Sequence, residues 1–215
     1  LAHENGALLI FDEMISGFKF SMGGVQDYLG VIPDLATFGK GITNGMPLGV
    51  LAGKAEYMRE FDKVFLSSTY APEALTLAAA SANIDFYKEN GVIEKLWEKG
   101  EYIKAGFNKV INKYEISKNV SLVGYPVRLM VNTHGNDGIH DQTLATLYQQ
   151  EMFKNGILCF SGVLMLSYSH TNDELDVLIN AFDQTCSVIK RVLESGKPIE
   201  DHLDGVLGAP VFKGL

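Results

Sequence analysis

Three residues with reactive or charged side chains, Asp12, Lys40 and Thr69, stand where a parallel α/β sheet places its ligands. Asp12 and Lys40 follow predicted strands, and Thr69 precedes a predicted helix; ligands of such sheets bind at the carboxyl ends of the strands. Taken singly, each has an ordinary structural explanation: Asp12 as a turn or capping residue, Lys40 as a solvated loop lysine, and Thr69 as a helix N-cap. Together, a carboxylate, an amine and a hydroxyl ahead of a helix suit one cofactor, pyridoxal 5′-phosphate.

Each of the three groups matches a different part of that cofactor. The aldehyde requires an amine with which to form a Schiff base, and Lys40 supplies one. The pyridine nitrogen requires an anion that keeps it protonated, which Asp12 provides. The phosphate requires hydroxyl and backbone N–H donors, which Thr69 and a helix N-terminus offer together. The pattern therefore predicts that the three residues form a pyridoxal-phosphate site.

Short strands separated by glycines are predicted around these residues. Runs of apolar residues predict strands at 7–11, 35–38, 49–52 and 63–66. The run at 7–11 is apolar at every position, which is typical of a parallel strand covered on both faces. Residues 1–6 resemble the last turn of a helix closed by a glycine, so we expect one half of a parallel or mixed α/β sheet. Helical spacing then predicts helices from Glu73 to Asn90 and on to Tyr114, separated by Gly91.

After residue 117 the pattern changes to that of a small α+β domain. Strands are predicted at 120–123 and 127–132, a helix at 141–155, and two more strands at 157–160 and 163–168. A last helix opens at Thr171 with Glu174 three residues later, the arrangement of a capping box, and runs to about residue 195. This order of elements predicts a separate unit from about residue 115 onward.

Composition and charge exclude several classes of function. The 215 residues carry a net charge of −8, and no stretch gathers the basic residues that nucleic acids or anionic membranes require. The apolar stretches are too short to cross a bilayer, and no export signal is apparent, so we expect a cytoplasmic protein. Cys159 and Cys186 are expected to be reduced core residues, and the scattered histidines predict no metal site.

Nucleotide-binding loops are also not expected. The pairs Gly39-Lys40 and Gly53-Lys54 lack both the glycine five positions earlier and the following Ser or Thr of a phosphate-binding loop. A nicotinamide-dependent dehydrogenase would require a G-x-G-x-x-G motif after a strand, and the sequence contains none.

An ordered series of motifs resembles a known family. The motifs are LIFDEMISGF at 9–18, GGVQDYLGV at 23–31, PDL at 33–35, GK at 39–40, GMPLG at 45–49, STYAPEA at 68–74 and, more weakly, HTNDE at 170–174. Together they resemble the class III pyridoxal-phosphate-dependent aminotransferases, in particular the glutamate-1-semialdehyde aminomutase-like subgroup. The resemblance implies the α/β fold of type I pyridoxal-phosphate transferases. Residues 1–114 would be part of the large cofactor-binding domain with connecting helices, and residues 115–215 the small C-terminal α+β domain.

The same resemblance implies a role for four residues. Asp12 would be the partner of the pyridinium nitrogen, and Lys40 the lysine that forms the Schiff base. Met14 stands where the family usually has a valine against the cofactor ring, although ordinary core packing explains it nearly as well. Thr69 would bind the cofactor phosphate in the site of the neighbouring subunit, which implies a homodimer with a shared site.

The implied activity is amino-group transfer between a primary amine or amino acid and a keto or aldehyde acceptor, by a transaminase or an aminomutase. Residues 71–73 are Ala-Pro-Glu where the aminomutase typically has Gly-Asn-Pro, so the substrate stays open. Arg128 could bind a substrate carboxylate or have a structural role, and no chemistry is assigned to Glu13. The family's upstream half, with a second phosphate-binding loop and a ring-stacking aromatic residue, is not in this sequence. The alternative is therefore a catalytically silent homologue or fragment that acts only as a structural or assembly unit.

Overall fold

The computed structural model describes residues 1–65, 69 and 73–209. The chain forms two compact units, Leu1–Lys95 and Leu96–Leu215, and the boundary lies inside a long helix, whereas we predicted a domain boundary between residues 114 and 115. Among the described residues, no helix combines the length and apolar composition needed to cross a bilayer.

The first unit is built on a three-stranded mixed sheet. Its strands are β1 (Ile10–Asp12), β2 (Leu35–Phe38) and β3 (Val50–Gly53), in the order β1-β2-β3. β1 pairs with β2 in parallel, and β2 pairs with β3 antiparallel. The short helix α1 (Val25–Leu29) lies in the connection between β1 and β2, and α2 (Ala55–Met58) follows β3. A parallel or mixed sheet was expected, and the mixed form is observed.

Two strand predictions in this unit are corrected. No strand forms in the described part of the segment predicted at 63–66. Lys63 ends the 3-10 turn Arg59–Lys63, and Val64 and Phe65 pair with no described strand. Leu66 lies outside the described residues. The strand predicted at 7–11 begins only at Ile10, whose surface is 56% exposed. The described residues therefore do not cover this strand on both faces. The prediction was wrong on this point because an apolar composition indicates a preference for burial but does not supply the covering layer.

Two helices follow, as predicted. They are α3 (Ala74–Asn90) and α4 (Val92–Tyr114), and α4 carries the chain from the first unit into the second. Gly91 between them has a φ of +58°, the left-handed conformation that ends a helix with little steric cost only for glycine. On α3, Ala80 packs with Phe18 and Ile42 in a small core beneath the sheet's connecting turns.

The second unit packs three helices against a β-hairpin. β4 (Val120–Tyr125) and β5 (Arg128–Thr133) are antiparallel, and α5 (Gln142–Lys154) and α6 (Asn172–Glu194) follow. The predicted capping box at the start of α6 is present, with Thr171 and Glu174 bonding to each other's backbone N–H groups. The core centres on Phe107 of α4 and Phe182 of α6, whose fully buried rings stack at 3.8 Å.

The strands predicted at 157–160 and 163–168 do not form. The described structure has only isolated bridges here, Met130 with Val163 and Phe160 with Val163, around a tight turn at Ser161 and Gly162. Both turn residues have positive φ angles, 45° and 76°. The apolar residues responsible for the prediction serve another purpose, since Leu164 and Leu166 are buried in the helical core without a continuous ladder of backbone partners.

Candidate functional site

Asp12 is the last residue of β1, and its carboxylate is exposed. Oδ1 accepts hydrogen bonds from the backbone N–H of Met14 at 3.0 Å and from the hydroxyl of Thr37 at 3.3 Å. Among the described residues, Oδ2 has no hydrogen-bond partner. The first oxygen therefore fixes the orientation of the carboxylate, and the second is available to a proton donor from outside these residues.

Lys40 follows β2 after a single glycine and begins the 3-10 turn Lys40–Ile42. Its φ of +45° is in the left-handed region, which costs a residue with a Cβ about 1–2 kcal/mol. Its carbonyl oxygen accepts hydrogen bonds from the N–H groups of Thr43 at 3.3 Å and Asn44 at 3.1 Å, which hold this conformation. The exposed amine makes no ion pair or hydrogen bond with any described residue. A strained backbone held in place by its surroundings is characteristic of functional positions.

The parallel pairing of β1 and β2 brings Asp12 and Lys40 to the same edge of the sheet. Asp12 lies opposite Thr37 in the register, and Lys40 comes three residues after Thr37. Because parallel strands end at the same edge, both side chains belong to the edge where α/β sheets bind their ligands. The structure thus brings Asp12 and Lys40 to one edge of the sheet, and their roles in holding a cofactor stay predictions.

Met14 lies directly against Gly39, the residue before Lys40. A Cβ placed on Gly39 would be 2.5 Å from Cε and 2.9 Å from Sδ of Met14. Gly39 is buried and Met14 half-buried, so the absence of a side chain at residue 39 makes room for the thioether. The structure thus places an apolar group beside the backbone of Lys40.

Thr69 is exposed in a turn, and the residues at 66–68 and 70–72, which carry most of the STYAPEA motif, lie outside the described structure. The explanation of Thr69 as a helix N-cap is wrong, because α3 begins at Ala74 and is capped by Glu73. The Glu73 carboxylate accepts from the N–H groups of Leu75 and Thr76, both at 2.7 Å. Hydrogen bonds from the Thr76 hydroxyl and these N–H groups lower the pKa of Glu73. The N–H donors expected to serve a phosphate together with Thr69 are thus occupied within this chain.

Two buried carboxylates that sequence reasoning did not assign organise the same sheet. Glu13 is 1% exposed and accepts hydrogen bonds from the Ser16 hydroxyl and from the N–H of Gln26 at 3.0 Å, so it holds the loop between β1 and α1. Gly24, with φ +84°, leaves space for this carboxylate, since a Cβ there would come within 2.7 Å of it. The sequence signal for this role was only the acidic pair at the end of the strand.

Asp34, just before β2, is the second of these carboxylates. Lys54 Nζ lies 2.6 Å from Oδ1, while His3 Nε2 and the N–H of Leu9 each lie 2.8 Å from Oδ2. These interactions, that of Lys54 foremost, hold the pKa of Asp34 well below its usual range, and the same bond raises the pKa of Lys54. Lys54 was considered above only as part of a phosphate-binding loop. In the structure its amine is instead paired with Asp34, the residue directly before β2.

Arg128, the remaining candidate, begins β5 in the second unit, opposite Tyr125 in the register of the hairpin, and its side chain is half-buried. Its role in binding a substrate carboxylate stays a prediction.

Comparison with known proteins shows the family. The model of the class-III aminotransferases matches residues 1–186. The chain belongs to the class-III aminotransferase family. A glutamate-1-semialdehyde 2,1-aminomutase from Methanosphaera stadtmanae is 33% identical over 194 residues, which are 84% of this chain and 45% of that protein. A 3-aminobutyryl-CoA aminotransferase from Cloacimonas acidaminovorans is 32% identical over 197 residues, 90% of this chain and 47% of that protein. The chain spans about half the length of the curated relatives it matches.

Solved structures with a similar fold are also known. The FumI protein of Sphingopyxis sp. MTA144, in its pyridoxal-phosphate internal aldimine form, superimposes with a TM-score of 0.81 and 23% identity, over 94% of this chain and 48% of that one. The predicted fold class, the α/β fold of type I pyridoxal-phosphate transferases, is thereby confirmed. The family indicates pyridoxal phosphate as the cofactor.

The residues present fit this cofactor. An aldehyde requires an amine without a competing partner, a protonated pyridine nitrogen requires a carboxylate oxygen free to accept, and the ring requires an apolar neighbour. Lys40, Oδ2 of Asp12 and the Met14 thioether meet these three requirements at one edge of the sheet.

Proposed function

We propose that this protein catalyses pyridoxal-phosphate-dependent transfer of an amino group between a primary amine or amino acid and a keto or aldehyde acceptor. The observation that supports it best is the geometry at the shared end of β1 and β2. There the amine of Lys40, on a strained backbone, lies at the same edge as the Asp12 carboxylate, and no described residue pairs with this amine or with Oδ2 of Asp12. Family membership supports the same reaction class.

In this proposal Lys40 has two tasks. Its amine would hold the cofactor through the aldehyde carbon, and, once released by a substrate amine, it would move a proton between the substrate carbon and the cofactor. When bound, the cofactor supplies an electron-withdrawing ring that stabilises negative charge developing on the substrate. Asp12 would favour the protonated pyridine nitrogen that this withdrawal requires. Met14 would exclude water beside the ring.

Covalent trapping tests this assignment. We expect the holoprotein, reduced with borohydride and digested, to carry a pyridoxyl group on Lys40 when analysed by mass spectrometry. Lys40→Ala should lose both the adduct and the amino-transfer activity. Lys63→Ala, which removes an exposed lysine of the same unit paired with Glu60, is the matched control and should retain both. An adduct that persists in Lys40→Ala would contradict the assignment.

Asp12→Ala separates the proposed role of Asp12 in proton transfer from the attachment of the cofactor to Lys40. We expect the variant to retain the adduct on Lys40 but to transfer the substrate proton about 10²- to 10⁴-fold more slowly, the usual range for a lost acid–base or electrostatic contribution. Single-turnover absorbance measurements follow this step, with Asp27→Ala, at an exposed residue of α1, as the control. Near-normal proton transfer would count against Asp12.

We also infer a homodimer in which Thr69 of each subunit binds the cofactor phosphate of the other. Mixing Lys40→Ala with Thr69→Ala subunits tests this, because a mixed dimer would contain one site with neither substitution. Random reassociation should then restore about a quarter of the wild-type activity. If Thr69 serves its own subunit, the mixture will be no more active than the variants apart.

A cytoplasmic location is part of the same proposal, and the free thiols of Cys159 and Cys186 are consistent with a reducing compartment. The second candidate is a catalytically silent assembly unit. It is favoured by the exposed apolar surface of β1 and the residues before it, where Leu8 and Ile10 are 46% and 56% exposed. A holoprotein preparation that yields no adduct on Lys40 would support this second candidate.

A further inference from the structure

A side chain of α3 holds the turn that carries Lys40. The amide Nδ2 of Asn83 donates hydrogen bonds to the carbonyl oxygens of Gly41 at 2.8 Å and Ile42 at 3.0 Å. Both carbonyls belong to the 3-10 turn that begins at Lys40. One amide group on a neighbouring helix therefore spans two consecutive peptide units directly after the proposed cofactor lysine.

The turn needs such a partner. The last carbonyl groups of a helix accept no hydrogen bond from within the helix. In so short a turn, most of the carbonyl groups are of this kind. The N–H groups of Thr43 and Asn44 bond only to the carbonyl of Lys40, so Asn83 satisfies the two that follow. Since Lys40 has a positive φ, its backbone would relax if the rest of the turn were not held.

The part of α3 that carries Asn83 is held in place by packing on both sides of this residue. Ala80, three residues earlier on α3, is 7% exposed and lies in one cluster with Phe18 and Ile42. Tyr87, one turn after Asn83, contacts the Phe18 ring edge-to-face with centroids 5.9 Å apart. Asn83 thus projects from the face of α3 that packs against the turn, and its position is fixed on both sides.

We propose that Asn83 is a positioning residue that sets the place and direction of the Lys40 amine through the turn, without itself contacting cofactor or substrate. This inference rests on the proposed function of Lys40. An amine that must hold a cofactor and then deliver a proton works only within a narrow range of positions, and a displacement of about 1 Å can lower the rate about 100-fold. Loss of the Asn83 amide should therefore affect the chemical step more than substrate binding.

The experiment compares Asn83→Leu with Asn90→Leu in the holoenzyme. Asn90 is the matched control, since its Nδ2 also donates to a carbonyl, that of Phe86 within α3, and does not touch the turn. We expect Asn83→Leu to lower kcat about 10- to 100-fold with KM changed less than about twofold. The pH at which the absorbance of the lysine-bound cofactor changes should also shift, whereas Asn90→Leu should match the wild type in all three.

Hydrogen exchange of the cofactor-free protein gives a readout independent of activity. The N–H groups of Thr43 and Asn44 should exchange faster in Asn83→Leu than in Asn90→Leu, because the turn opens more often. A kcat, KM and pH profile of Asn83→Leu equal to those of the control would overturn the positioning role, even with a lower melting temperature. Equal exchange rates of these N–H groups in the two variants would show that the Asn83 amide does not hold the turn closed. If the wild type and the Asn90 variant both fail to trap the cofactor on Lys40, the proposed function is refuted instead, and the positioning role of Asn83 with it.

Discussion

Gly39→Ala is the smallest change that disturbs the contact between Met14 and the backbone preceding Lys40. The added Cβ would lie 2.5 Å from Cε of Met14, 2.9 Å from its Sδ and 3.1 Å from the carbonyl oxygen of Leu48. Ordinary carbon contacts are about 3.5–4.0 Å, so the thioether must move by about 1 Å and the Leu48 peptide by a few tenths of that. The backbone of Gly39 itself is extended, with φ −172°, and accepts alanine without strain.

Two opposing effects set the size of the change. Inserting a methyl group into a filled space typically costs about 1–3 kcal/mol. Replacing glycine also restricts the unfolded chain, which raises the free energy of unfolding by about 0.4–1 kcal/mol. We therefore expect Gly39→Ala to lower the free energy of unfolding by about 0–2.6 kcal/mol. The loss should be smaller in a Met14→Ala background, where the methyl group finds space, with a coupling of about 1 kcal/mol between the two substitutions.

Urea unfolding with linear extrapolation measures these differences, and Gly49→Ala provides the matched control. Gly49 precedes β3, and a Cβ there would meet no atom within 4 Å. The control should be neutral or slightly stabilising. If Gly39→Ala is no more destabilising than Gly49→Ala, or if its cost is the same with and without Met14, the thioether does not occupy the space above Gly39 and its proposed place beside the ring is refuted.

Two further predictions concern the stability of each unit. The lowered pKa of Asp34 means that its ionised form stabilises the folded state at pH values above the ordinary pKa of 3.8, and that this contribution is lost as the pH falls below 3.8. In urea unfolding, the stability advantage of the wild type over Asp34→Asn should therefore shrink between pH 5 and the lowest workable pH. A difference that stays constant with pH would contradict the ion pair. Phe107→Ala should destabilise the second unit by about 3–5 kcal/mol through the cavity left against Phe182, whereas Phe153→Ala, at a residue 48% exposed, should cost far less; equal losses would argue against the stacked pair as the centre of that core.

The helices could be predicted from the sequence because their boundaries depend on neighbouring residues. Gly91 ends α3, and Thr171 with Glu174 opens α6, through interactions that span four residues or fewer. The placement of Asp12 and Lys40 at one edge was predictable for a similar reason, since each follows its own strand and parallel strands end together. The α3 cap departs from the usual pattern, because glutamate at Glu73 is not among the preferred capping residues.

What could not be predicted depends on contacts between distant parts of the sequence. The hydrogen bonds of Asn83 to the Lys40 turn join residues more than 40 positions apart, and an asparagine inside a helix carries no signal of its partner. The strands expected at 157–160 and 163–168 failed for the same reason. Their apolar pattern was correct about burial, with Leu164 and Leu166 in the core, but a strand also requires a neighbour in register, which composition does not encode.

The buried carboxylate of Asp34, directly before β2, helps to place Asp12 at the candidate site beyond the other end of this strand. Asp34 binds both neighbours of β2: its N–H donates to the Leu9 carbonyl ahead of β1, and its carbonyl accepts from Lys54 after β3. Its carboxylate binds the Leu9 N–H and the Lys54 amine as well. These bonds fix the register that sets Asp12 opposite Thr37. A slip of one residue would turn every side chain of β1 to the other face and present Phe11 or Glu13 where Asp12 now stands. Asp34, about 13 Å from the far end of a four-residue strand, therefore acts on the proposed chemistry through the alignment of the strands alone.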